Sequence, residues 1–348
     1  MATGIGSLPH KKVEDALDLI ASSFPYMPHW PQLPQKDEKE GFVHQYLTPL
    51  VELGLISVEK QSPFFRTDAP DWLESLTKFY ELYLSLEQGE DGLDFFAFPR
   101  ASASGFYFFL EEGKARFDRA KFIKGQISGP VSLGFSVNDA QLRASFYDDE
   151  LRAVLLKTLI LHARWQVRQL QKFGLTPVIF FDEPGLYAYG QSTFVALSKE
   201  VIQESLRELI NAIHEENGLV GAHCCAGVDW SLLFELPLDI VSFDAYNHFP
   251  SLLVYPQPLT NFLENDGYLA WGIVPTTEAA WQYGHRTLCS SLKEKIEKLV
   301  QQNVPRERLC RQILFTPSCG AGTLDIALSE HIYQLTASLN NNFSETLD

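Results

Sequence analysis

Residues 149–183 read DELRAVLLKTLILHARWQVRQLQKFGLTPVIFFDE, and they decide the fold. Up to Gly174 the apolar residues recur at three- and four-residue spacing and a glycine closes the run, which predicts an amphipathic helix. PVIFFDE (177–183) then packs β-branched and aromatic residues into a short run that ends on two carboxylates, the pattern of a strand buried in a parallel sheet. The rest of the chain repeats this unit. TFVALSKEVIQESLRELINAIHEENG (193–218) carries the same helical period. Further strand-like runs are TGIGSL (3–8), one of LISVEK (55–60) or DFFAFP (94–99), KFIKGQI (121–127), GLVGAHC (218–224), DIVSFDA (239–245), YLAWGIV (268–274) and QILFTPS (312–318). About eight strands alternating with helices predict an α/β protein, a single (β/α)8 TIM barrel over residues 1–340, followed by a flexible tail at 341–348. A doubly wound open sheet is the alternative, but GIGSLP after the first strand is not the glycine-rich phosphate turn of that fold. FPYMPHWPQLPQKDEKE (24–40) contains four prolines, which exclude a regular helix; it predicts an extended N-terminal loop with aromatic anchors and then a charged helix start.

The 348 residues are 45% hydrophobic and 21% charged, a globular composition. A formal net charge of −16 argues against a nucleic-acid partner, which needs clustered cations. Five cysteines (224, 225, 289, 310 and 319) are an odd number without framework spacing. MATGIGSLPH lacks the basic and apolar regions of a secretory signal, and apolar stretches such as LRAVLLKTLILHA are too short and too interrupted by charge to span a membrane. A cytoplasmic, reducing setting is expected, where clustered thiols serve metal binding or catalysis.

In a barrel of this kind the chemistry sits at the C-terminal ends of the strands. Those ends carry Ser7, Gln126 and Ser128, Asp182 and Glu183, His223 with Cys224 and Cys225, Asp244, and Cys319. His223 and Cys225 are two apart, so on an extended segment they share a side, while Cys224 faces the helices as a small hydrophobe. Cys319 ends the last strand, and Asp244 offers an oxygen from the strand after His223. One imidazole, two thiolates and one carboxylate make a tetrahedral zinc (Zn2+) shell with a weak, displaceable ligand. Cys289 and Cys310 lie in helical patterns and are structural.

ATGIGSLP, KGQISGPVSL, FFDEP, HCC, SFDAY and TPSCG occur in that order along nearly the whole chain. Together they resemble the motifs of the catalytic barrel of cobalamin-independent methionine synthases, within the wider uroporphyrinogen-decarboxylase-like barrel group. The resemblance implies zinc held by His223, Cys225, Asp244 and Cys319, and methyl transfer to the sulfur of homocysteine or a similar small thiol. It implies that Ile5, Gly6 and Ser7 meet the substrate carboxylate and that Asp182 faces its ammonium; Asp182 and Asp244 are the catalytic candidates. Three departures stand out. Only one barrel is present, where the classical enzymes have two. The second acidic partner of the amine is matched in FVHQYL by the neutral Gln45, also a candidate substrate contact. The imidazole that protonates the folate is matched in GIVPTTEA by Thr276 and Thr277. Without that acid, a methyl-corrinoid, free or on a corrinoid protein, is expected as donor ahead of methyl-tetrahydrofolate. The competing classes are a decarboxylase, which needs arginines and no zinc, and a non-catalytic barrel that binds zinc, a corrinoid or a thiol.

Overall fold

The protein is described by a computed structural model covering residues 1–58, 62–191 and 197–343. Residues 59–60 of LISVEK, 193–196 of the second helical run and 344–348 of the tail lie outside the described residues. A short antiparallel pair, β1 (Ile56–Ser57) and β2 (Phe64–Phe65), precedes the main sheet. That sheet holds β3 (Phe122–Ser128), β4 (Thr176–Asp182), β5 (Leu219–Cys224), β6 (Ile240–Phe243), β7 (Tyr268–Val274) and β8 (Ile313–Pro317), all parallel and paired in chain order.

The sheet is a curled half-barrel of six strands, which corrects the expectation of eight. TGIGSL is not a strand: Ala2 makes one parallel bridge to Phe315 and Ser7 one to Gln32. Residues 28–32 cover the other edge through a single bridge, His29 to Lys124. Prolines at 25, 28, 31 and 34 remove every third backbone N–H there, so no continuous ladder can form. Gly6, at φ +155°, breaks the extended run on the other segment. Of the two alternatives for a second strand, Ile56–Ser57 belongs to the small antiparallel pair and Leu93–Phe96 is a 3-10 turn.

Helices cover the outer face. Asp148 caps the helix Asp149–Leu170 by accepting from the N–H groups of Glu150 and Leu151, and Gly174 ends the following turn at φ +75°. The second predicted helix is Lys199–Glu215, capped by Ser198. The last, Ile326–Asn342, is capped by Asp325. Among the described residues no helix is long and apolar enough to cross a membrane. The anchors of the N-terminal loop are as expected: Phe24, Met27 and Trp30 are buried, and the Trp30 indole N–H donates to Gln166 at 2.8 Å. The charged helix start is instead a 3-10 turn, Glu38–Glu40. Its buried Glu40 accepts from the N–H of Leu33 (3.1 Å) and from the N–H (3.1 Å) and hydroxyl (2.6 Å) of Ser104, pinning the loop to the next helix.

Two apolar cores result. The larger fills the space between sheet and helices; the smaller plugs the concave inner face with Met27, Val178, Phe180, Ile240, Ala270 and Leu314. Gly221 makes room for Phe180 in that plug, because a β-carbon there would overlap the ring. Gly221→Ala is therefore expected to cost about 1–3 kcal/mol by overpacking, read as a lower urea midpoint with unchanged slope. Wild-type stability in that variant would show that the plug gives way freely.

Candidate metal centre

Strand register sets up the site. Ser128, Asp182, His223 and Ser242 are successive cross-strand partners on β3, β4, β5 and β6. The His223 Nδ1 lies 2.9 Å from the Ser242 hydroxyl. With Nδ1–H as donor, the lone pair stays on Nε2, the arrangement a metal-binding imidazole needs. That Nε2 is buried and has no hydrogen-bond partner.

Cys225 follows β5 directly and Cys319 follows β8, both at the C-terminal edge and both partly accessible. One ligand atom from each of His223, Cys225 and Cys319 lies within 4.8 Å of the other two. A hydrogen bond from the Cys225 thiol, together with His223, pulls the Cys319 thiol down to about 4 against the opposing effect of burial. Donating that proton pushes Cys225 well up. An unpartnered buried imidazole nitrogen beside two thiol sulfurs fits a zinc ion with one position left open.

Asp244 lies outside this group. Its oxygens accept from the main-chain N–H of Asn247 (2.8 Å) and from its side-chain amide (2.7 Å). Cys224 is fully buried in the large core, and burial drives its thiol up to about 12. Cys289 is buried in the same core and Cys310 packs against it. Glu183 caps the helix Pro130–Ser136, accepting from the N–H groups of Val131 (2.8 Å) and Ser132 (2.9 Å) and from the Ser132 hydroxyl (2.7 Å).

Ser7 sits close to the trio, since a β-carbon on Gly320 would strike its hydroxyl. Its hydroxyl accepts from Gly322 N–H (3.2 Å) and its carbonyl from Ala321 N–H (3.1 Å). Gly6 lies against the Gln126 side chain. Asp182 keeps one carboxylate oxygen buried and without a partner, and burial raises its carboxyl to about 6. Gln45 is fully buried with both ends engaged: its oxygen accepts from Gln32 (2.8 Å) and its amide donates to the Ser102 carbonyl (2.5 Å). The Ser128 hydroxyl donates to the Phe42 carbonyl. Thr276 bonds through its hydroxyl to Ser318 (3.0 Å), the residue before Cys319.

Lys124 was not among the candidates. It is fully buried on β3, donates to the Ile5 carbonyl at 2.5 Å and lies 4.6 Å from the Phe180 ring centre. Its signal in the sequence was a lysine in an apolar strand, two residues before Gln126 and four before Ser128. Ser242 could have been found the same way, two residues before Asp244.

No protein-family model matches the sequence, and no curated protein matches it. Solved structures do. A B12-independent methionine synthase from Shewanella sp. W3-18-1, in complex with selenomethionine, superposes with a TM-score of 0.55 at 13% identity, over 99% of this chain and 98% of that one. A Listeria monocytogenes structure provisionally assigned to the same class reaches 0.43 at 16% identity, over 67% and 69%, short of a shared-fold match. The chain is thus similar in fold, along its full described length, to the Shewanella methionine synthase.

Proposed function

We propose that the protein is a zinc-dependent S-methyltransferase acting on homocysteine or a closely similar amino acid thiol. The carrying observation is the trio His223, Cys225 and Cys319, with its unpartnered Nε2 and two sulfurs at the C-terminal edge of the sheet. The fold likeness to a methionine synthase that holds selenomethionine supports the same reading. Bound zinc would supply Lewis acidity that keeps a substrate thiol ionised at neutral pH, where a free alkyl thiol is mostly protonated.

The chain's own residues do the rest. Ser7, beside Cys319, presents a hydroxyl to the substrate carboxylate, and the unpartnered oxygen of Asp182 takes the ammonium. These two fix the amino acid so that its sulfur reaches the trio, converting a bimolecular encounter into a positioned one. Asp244 stays with Asn247 and leaves the fourth position to substrate. Asp244→Ala is therefore expected to retain most of its zinc; loss comparable to a cysteine variant would put Asp244 among the ligands.

The donor follows from the acid that is lacking. Where the folate-protonating imidazole is expected, Thr276 is tied to Ser318, and neither hydroxyl is an acid near neutral pH. A folate amine leaves only when protonated, whereas cobalt leaves methyl-cobalamin as Co(I) with both bond electrons and needs no proton. Methyl transfer from methylcobalamin is expected to run at least about tenfold faster than from methyl-tetrahydrofolate, roughly 1.4 kcal/mol in barrier. A matrix of small thiols against both donors, on zinc-loaded protein, tests activity and ranking together. Faster turnover with the folate would overturn the ranking; no transfer from either donor to any thiol would overturn the function.

A further inference from the structure

The amine-binding half of the site lacks a partner. Gln45, the residue expected to share the ammonium with Asp182, is fully buried and spends its oxygen on Gln32 and its amide on Ser102. An ammonium brings three donors, and one carboxylate oxygen does not satisfy them.

Gln126 offers what is missing. It lies on β3 next to β4, two residues before Ser128, which pairs in register with Asp182, so its side chain shares the inner face with that carboxylate. Its side-chain amide donates to the Trp30 carbonyl at 3.1 Å. That bond fixes which way the carboxamide points, because a flip would set two oxygens against each other. Its oxygen is then left buried and without any partner, on a residue only 2% exposed. Asp182 Oδ1 is in the same condition on the adjacent strand. An acceptor withheld from water with no donor costs stability, and a pair of them on neighbouring strands marks a place prepared for a donor-only group.

The surroundings fit an amino acid zwitterion. A β-carbon on Gly6 would stand 2.7 Å from the Gln126 side-chain carbon and 3.0 Å from its oxygen, so Gln126 touches the segment that faces the substrate carboxylate. Its neutrality also matters. His223 and then Lys124 favour the charged form of Asp182, and a second buried carboxylate would add a negative charge left unpaired whenever substrate departs.

We propose that Gln126 is a specificity-determining residue whose side-chain oxygen, together with Asp182, binds the ammonium of the amino acid substrate. The proposal rests on the amino acid thiol reading above. Its test is a calorimetric titration of zinc-loaded and of metal-stripped protein with L-methionine and with 4-(methylthio)butanoate, which lacks only the amine. Gln126→Leu is expected to weaken L-methionine by about tenfold, the loss of one hydrogen bond to a charged group, while leaving the des-amino compound and the zinc content unchanged. Gln126→Met, nearly the same shape without the acceptor, gives the same comparison if the leucine variant does not fold. Equal weakening of both compounds, or none, overturns the proposal, since a merely structural residue cannot sense the amine. If the wild type does not bind L-methionine, the parent reading falls and takes this one with it; if it binds L-methionine and the variants do not discriminate, only this inference fails.

Discussion

Cys319→Ser is expected to reduce zinc from about one ion per chain to a small fraction, and methyl transfer to a thiol by more than about a hundredfold. Loss of a ligand's supporting partner alone already costs roughly 10–100-fold in metal affinity or activity, and a ligand itself costs more. The serine hydroxyl is a harder donor that stays protonated at neutral pH, whereas the thiol it replaces is drawn toward the thiolate by Cys225 and His223. Cys225→Ser should behave alike, because it too replaces a soft sulfur ligand by a hydroxyl that stays protonated. Cys224→Ser should keep its zinc, since that thiol points into the core. Metal analysis after gel filtration reads all three. Full zinc in the Cys319 variant would dismantle the proposed centre.

That residues 94 positions apart in the chain could be paired from sequence has a simple cause. His223 and Cys225 share a side by strand alternation, and parallel strands all deliver their C-terminal ends to one edge, so Cys319 had to arrive on the same edge. Cys224 was legible as core for the same reason. What periodicity could not supply was the way the sheet is bounded. TGIGSL has the composition of a strand, yet it makes single bridges because Gly6 turns out of the extended region and its neighbour, residues 28–32, is rich in proline. Nor could it tell that Asp244 is held by Asn247, or that Gln45 is consumed by Gln32 and Ser102: hydrogen-bond partners distant in the chain leave no local mark. Lys124 escaped because a charge in an apolar strand usually signals an edge or a solvated face, and here the inner face of the sheet swallows it.

The second large effect belongs to that lysine. Lys124→Met is expected to destabilise the fold by about 1–3 kcal/mol, the cost of leaving the buried Ile5 carbonyl without its donor. The lysine's bond to the Ile5 carbonyl ties the first segment of the chain to β3. Methionine fills the space beside Phe180 but leaves the carbonyl unanswered. The effect has a pH signature. Burial holds Lys124 down to about 7, whereas the unfolded chain keeps that proton up to its ordinary value of 10.5. Between those values the unfolded state binds more protons than the folded one, so this group's contribution to stability rises with pH. The variant lacks the rise, and the gap between the two proteins should widen from pH 7 to pH 9 in urea unfolding. A constant gap would mean that the lysine keeps its charge inside the sheet.

The single bridges at the two ends of the sheet also order events in time. Thr3 and Met1 exchange backbone hydrogen bonds with Phe315, and the Ser7 carbonyl accepts from Ala321, so these segments must wait for partners more than 300 residues further along the chain. Contacts of such long sequence separation form late, after the loops between them have closed. His223 and Cys225 leave the ribosome well before Cys319, and until β8 docks they are an exposed imidazole and thiol with no third partner. Zinc loading would thus wait until β8 has docked, and a nascent chain stalled before residue 313 should take up no zinc at this site.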